Sequence, residues 1–372
     1  MTGARSAING VCVALALSLS ACGGSKKKPV AAPAANAVVP AAAAKMISGV
    51  EFAKTPSGRD RAAALMREAI AIDPKLWEAH YNLGVLLAQS GDLAEAEPSL
   101  EHAAQLAPGA EEIAMALGQV RRRRGENRKA ADGLQLFVEQ HPEAKEARAL
   151  YVVALRDSGQ IDAAIAQARD ALRRKAGDAT ALAELALSEL AKGERDSAEL
   201  LVKEAIASNK ESAIAHRTAG LVALAKGDDA AAFASFVKAS HLDPKDTTSR
   251  LNIGTVLVRA GVYGKAEEQF RAVLKDVKDD PDASIGLAAA LRAQGDKDHT
   301  AKWNEAQKIL EGVLARDPHN VGAEFNLAIL LADFMKKPAE AKPLFQRFLV
   351  DAPADHPARA EADRQAKAIG AK

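Results

Sequence analysis

The stretch "EAHYNLGVLLAQSGDLAEAEPSLEHAAQLAP", residues 78–108, holds two amphipathic helical patterns joined by a glycine turn. Leu83, Gly84 and Leu87 share one face of the first pattern. Gly91 ends it, because glycine enters the left-handed conformation of a helix stop without a Cβ clash. The second pattern carries Ala96, Leu100 and Ala103 at helical spacing and stops at Pro108, which cannot extend the hydrogen-bond ladder. Small residues at Gly84 and Ala96 let the paired helices approach closely, while Leu83 and Leu100 fill the space around them. Neither helix alone buries its apolar face, so neighbours must stack on it.

Outward from this stretch the pattern recurs. Gly91, Gly125, Gly159, Gly193, Gly227, Gly261 and Gly295 stand 34 residues apart, and so do Ala96, Ala130, Ala164, Ala198, Ala232 and Ala266. A fixed 34-residue period predicts a stack of helix pairs. Composition agrees: aromatic residues are 4% of the 372, which argues against a β-sandwich or barrel. Fifty basic against 49 acidic residues leave no excess charge to draw the chain onto nucleic acid or an anionic membrane.

These residues resemble the tetratricopeptide repeat, in which a Leu-Gly pair is followed by a small residue, a large residue, Ala and finally Pro. Leu83-Gly84, Ala96, Leu100, Ala103 and Pro108 fill those places in 77–110, and Leu117-Gly118, Ala130, Leu134 and Pro142 do so in 111–144. Units 145–178 and 179–212 are looser, with Val152 for the glycine and Lys210 for the proline. Units 213–246 and 247–280 recover Gly220 with Phe236 and Gly254 with Phe270. Unit 281–320 has about six extra residues around Trp303, and 321–355 is the eighth unit. The resemblance implies an all-α, right-handed superhelical solenoid. Residues 45–76 form a degenerate first repeat, matching a second helix at Ala62, Met66, Ala69 and Pro74, and 356–372 a capping helix and tail.

At the other end, Arg5, an apolar run from about Val11 to Leu19 and small residues compose an export signal over 1–21. Leu19-Ser20-Ala21-Cys22 resembles the lipobox of bacterial lipoproteins, which implies cleavage before Cys22 and lipid on that cysteine, with no other cofactor. Several buried acyl chains make such an anchor effectively permanent. Gly23, where an inner-membrane retention signal would need Asp, implies the periplasmic face of the outer membrane. Residues 22–44, with three prolines and hardly a large side chain, read as a tether whose alanine-rich end can already be helical.

Catalytic motifs are missing from the sequence: there is no His-Glu-x-x-His pattern, no paired-cysteine site and no phosphate loop, and the acidic turns at Asp279-Asp280 lack the remaining ligands of a calcium loop. The reading is therefore a non-enzyme without a small-molecule substrate or metal. By the resemblance, first helices line a concave surface that receives protein partners. The candidates there are Tyr81, Asn82, Met115, Gln119, Arg217, Asn252, Thr255, Phe325 and Asn326. Arg122, Arg123, Arg156, Arg259 and Arg292 recur near first-helix ends, either to offset the negative helix terminus or as a positive ladder for acidic groups of a partner. The whole resembles tetratricopeptide lipoproteins of gliding motility or of type IV pilus and secretin assembly, which implies an envelope scaffold joined to the membrane by its anchor alone. Adaptors for cell-wall enzymes or β-barrel assembly are the alternatives.

Overall fold

A computed structural model describes residues 39–295 and 300–370, which are helical and contain no strand among them. They divide between Thr218 and Ala219 into two units. The first holds α1 (Pro40–Ala53), α2 (Arg59–Ile72), α3 (Trp77–Ser90), α4 (Leu93–Leu106), α5 (Glu111–Arg123), α6 (Asn127–Gln140), α7 (Lys145–Asp157), α8 (Ile161–Arg174), α9 (Ala179–Lys192) and α10 (Arg195–Ser208). Helix α11 (Ala213–Lys226) spans the division. The second unit continues with α12 (Asp229–Leu242), α13 (Thr247–Arg259), α14 (Tyr263–Asp276), α15 (Pro281–Gln294), α16 (Thr300–Arg316), α17 (Val321–Ile329), α18 (Pro338–Asp351) and α19 (Arg359–Gly370).

Within each unit successive helices pack as pairs, and each pair packs on the next. The pairs close on a small-against-large contact. A Cβ added to Gly84 would lie 2.6 Å from Leu100, and one on Gly118 2.9 Å from Leu134. In the second unit the same construction at Gly220 and Gly254 would meet the rings of Phe236 and Phe270 at 2.5 and 2.7 Å. Where Val152 replaces the glycine, Ala168 stands 16 residues on at the place of Leu100, and both are buried. Volume is thus kept between partners, which interiors tolerate best. The N-terminal pair follows the rule without the Leu-Gly signature: α1 begins at Pro40, five residues before the expected start of the first repeat at 45, because Ala42 and Ala43 pack into the core, and Gly49 lies under Met66, itself fully buried.

Gly91 ends α3 at φ 93°, and the amide of Asp92 donates to Leu87 O at 2.9 Å, the closure of a Schellman motif. Gly295 keeps the 34-residue spacing but not the conformation, with φ −74° and ψ 148°. There the indole of Trp303 lies where a Cβ would be, and its N–H donates to Arg292 O at 3.1 Å. The extra residues of this repeat therefore replace a backbone closure with a side-chain one. After α17 the chain widens into a π-turn over Leu330–Phe334, and Lys336 takes the left-handed conformation at φ 56°.

A second recurring contact fixes four of the first helices to the turn before them. The side chains of His80, Arg148, His216 and Arg250 donate to the carbonyls of Pro74, Pro142, Lys210 and Pro244, six residues back, at 2.8–3.2 Å. Each bond satisfies a turn carbonyl that no helix ladder reaches.

Candidate functional site

Leu19, Ser20, Ala21 and Cys22 lie outside the described residues, so the functional geometry is that of the helices. Tyr81 and Asn82 are enclosed, and the amide nitrogen and oxygen of Asn82 are buried without hydrogen-bond partners. Met115 packs, half-buried, beside the core around α7 and α8, and Gln119 and Arg217 are also half-buried. Asn252 and Thr255 turn back on their own helix, donating to Thr248 O and Leu251 O at 3.0 Å. The ring of Phe325 lies 5.1 Å from that of Phe348, tilted against it by 44°.

The recurrent arginines meet partners inside the chain. Arg122 Nε donates to Asp157 at 2.9 Å, Arg156 to Glu184 at 2.8 Å and Arg259 to Asp229 at 3.1 Å. Arg123 donates to Ala88 O at 2.6 Å. Arg292 differs: it donates to Asn326 Oδ1 at 3.2 Å and lies 5.6 Å from the centre of the Phe334 ring. Burial pushes its pKa down and the nearby Asp333 opposes that. The structure thus brings Arg292 and Asn326 together, while Arg122, Arg156 and Arg259 link their helices to a carboxylate of another helix and Arg123 reaches a backbone carbonyl of α3.

The densest charge cluster converges on a residue whose part sequence reading did not anticipate. Glu97 of α4 has a side chain only 3% exposed, and it accepts from Arg121 at 2.9 Å and, in very short contacts, from Arg124 and Lys129. Arg121 also reaches Glu101 at 2.6 Å. Burial alone would raise the Glu97 carboxyl, but hydrogen bonds from Lys129 and Arg121 and their charges hold it down at about 2. The apolar groove formed by α4, α5 and α6 is floored by Ile113 and Leu117, with Arg121 among its walls.

Four repeats on, the seam of α12, α13 and α14 has another chemistry. Phe233 stands at the place of Glu97, Val237 at that of Glu101 and Leu257 at that of Arg121, each 136 residues later. They line a groove of about 310 Å³ together with Ile253, Arg250 and Lys265, and Phe233 remains 37% exposed. The signal that finds this contrast is subtraction of repeat multiples beyond the glycine and alanine positions.

Two family models described as Tetratricopeptide repeat match the sequence, one over 59–120 and the other over 115–179, 183–247 and 251–299, together more than half of it. The chain belongs to the tetratricopeptide repeat family. Members of this family are protein-interaction scaffolds. No curated protein matches the sequence. Among solved structures, a tetratricopeptide repeat protein from Parabacteroides merdae is 15% identical, with a TM-score of 0.45, covering 68% of this chain and 98% of its own. Pseudomonas aeruginosa PilF is 18% identical, TM-score 0.49, with 62% and 98% covered. YrrB, described as a tetratricopeptide protein with an unusual peptide-binding site, is 19% identical, TM-score 0.36, with 52% and 96% covered. At these identities and scores the three carry no argument about what this array binds. Among the described residues no group of three or more His, Cys, Asp or Glu is placed to hold a metal ion, and no helix is long and apolar enough to cross a membrane.

Proposed function

We propose that this tetratricopeptide array is a non-enzymatic scaffold, tied by lipid on Cys22 to the periplasmic face of the outer membrane, that holds components of an envelope machine together. The observation that supports it most is the coupling, in one sequence, of a protein-binding array to Leu19-Ser20-Ala21-Cys22 directly behind a short apolar run. Lipid supplies the attachment, the segment between Cys22 and α1 the reach and the array the binding surface. The partners are envelope proteins, and neither nucleic acid nor a small-molecule substrate has a part. A gliding-motility complex is the first candidate among such machines, because the array is long for a pilus-assembly lipoprotein.

The anchor is tested by metabolic labelling with a palmitate analogue. The parent protein takes up label and fractionates with the outer membrane, whereas Cys22→Ala takes up none and accumulates as uncleaved precursor. Label on the mutant, or a soluble parent, would overturn the anchor. Crosslinking in intact cells with identification of the bound proteins then selects the machine: motility proteins, a secretin, a murein hydrolase or a barrel-assembly protein.

A further inference from the structure

We propose that the groove between α12, α13 and α14 is a protein-docking site of its own, taking a partner segment that sets an apolar side chain against Phe233 and Leu257 and a carboxylate beside Lys265. The site is distinct from the first-helix face on which the scaffold reading rests, and it stands whether or not the anchor does. Its apolar walls are Phe233, Val237, Ile253 and Leu257, and its volume of about 310 Å³ admits a side chain the size of leucine or phenylalanine. Exposed aromatic surface at the mouth of a pocket is where interface anchors concentrate.

The chain itself indicates which charge belongs there. Lys129, in the seam four repeats earlier, binds the carboxylate of Glu97, with Arg121 and Arg124 sharing it. Lys265 occupies the place of Lys129, but Phe233, Leu257 and Ala260 have replaced Glu97, Arg121 and Arg124. The lysine is kept and its carboxylate is gone, so Lys265 is exposed and has no ion-pair partner among the described residues. Arg250 also lines the groove, but its charge is met within the chain. One of its Nη atoms is engaged by Pro244 O and Asp276 Oδ2, both at 2.8 Å, while its Nε–H is buried without an acceptor.

Glu268, three residues after Lys265, likewise has no ion-pair partner among the described residues. Gly264 has replaced the arginine that sits beside its counterpart, where Arg128 pairs with Asp132 at 3.5 Å. The rim therefore favours a carboxylate at Lys265 and a cation or neutral residue one turn away, rather than a uniformly acidic segment. This is charge complementarity to one local pattern, which sets specificity more than affinity.

The test uses the full chain with labelled Ile, Leu and Val methyl groups and two synthetic 12-residue peptides with a central leucine, one with a glutamate beside it and the other with a lysine. The glutamate peptide should shift the methyl signals of Val237, Ile253 and Leu257 and bind about fivefold more tightly than the lysine peptide. Lys265→Glu, an exposed change that leaves the fold intact, should reverse that order, and Phe233→Glu should remove binding. Equal affinity for the two peptides, shifts confined to other methyl groups, or no binding of either would overturn the proposal. So would shifts of the same methyl groups on raising the protein concentration alone, which would assign the groove to a second copy of the chain.

Discussion

The seam of α4, α5 and α6 and the seam of α12, α13 and α14 occupy the same places in the repeat, four repeats apart, and share a backbone plan but not a chemistry. In the first, Glu97 draws Arg121, Arg124 and Lys129 together. In the second, Phe233, Val237 and Leu257 leave an apolar groove with Lys265 at its edge. The difference teaches that the repeat's core contacts fix where helices lie and leave a groove at both seams, while the side chains at its rim decide whether the charges there are satisfied within the chain or left for a partner.

The comparison breaks most sharply at Glu97. Glu97→Ala leaves Arg121, only 11% exposed, with the half-exposed Glu101 as its one remaining carboxylate partner among the described residues, and removing a member of a buried ion pair costs about 3 kcal/mol. Phe233→Ala at the equivalent place removes a side chain already partly in water and should cost about 1 kcal/mol. Thermal unfolding of the two variants measures the difference; equal losses would mean that Glu97 does not hold the first seam.

What both seams share is tested next. Gly254→Val puts methyl groups into the ring of Phe270, with an expected loss of about 2 kcal/mol, and adding Phe270→Ala should return part of it by imitating Val152 and Ala168. Denaturant unfolding of the single and double variants reads this coupling, and strict additivity would refute the small-against-large rule.

Acid sharpens the contrast further. The Glu97 pKa is held at about 2, below its ordinary value of 4.5, so its contribution to stability is present above that ordinary value and is lost as pH falls toward 2. Hydrogen exchange followed between pH 5 and 2.5 should show α4–α6 losing protection, a loss that Glu97→Gln flattens; no such flattening would contradict the ion network. The smallest effect is expected from Arg122→Gln. It breaks an ion pair with Asp157 in which both side chains are about a third exposed, and should cost less than about 1 kcal/mol.

Much of this was legible in the sequence, for identifiable reasons. The glycines at 34-residue spacing, Gly84 with Leu100 and Gly254 with Phe270 are constraints of backbone approach, and such constraints recur at fixed positions. The ion pairs were not legible: Glu97 and Arg121 are 24 residues apart, and which side chain reaches which depends on the distance between helices and on rotamers. Sequence reading therefore left the arginines between helix-end service and a ladder for a partner, whereas Arg122, Arg156 and Arg259 bind carboxylates within the chain. Gly295 shows the same limit from the other side. Its spacing marks a left-handed stop, yet Trp303 from the extra residues closes that helix instead. The enclosed amide of Asn82 shows no more than a polar residue in its unit's motif until the packing around it is known.

The scaffold reading is tested most directly by a photo-crosslinking residue placed in living cells at Gln119 of α5 and, separately, at Thr255 of α13, with the lipid anchor intact. The account predicts discrete adducts with proteins of the cell envelope from at least one position. Those adducts should be lost when the cells are heated past the unfolding midpoint of the array, and lost at a lower temperature in Glu97→Ala or Gly254→Val, whichever lies in the corresponding unit. No adduct from either position, or adducts that persist unchanged above the unfolding midpoint, would contradict it.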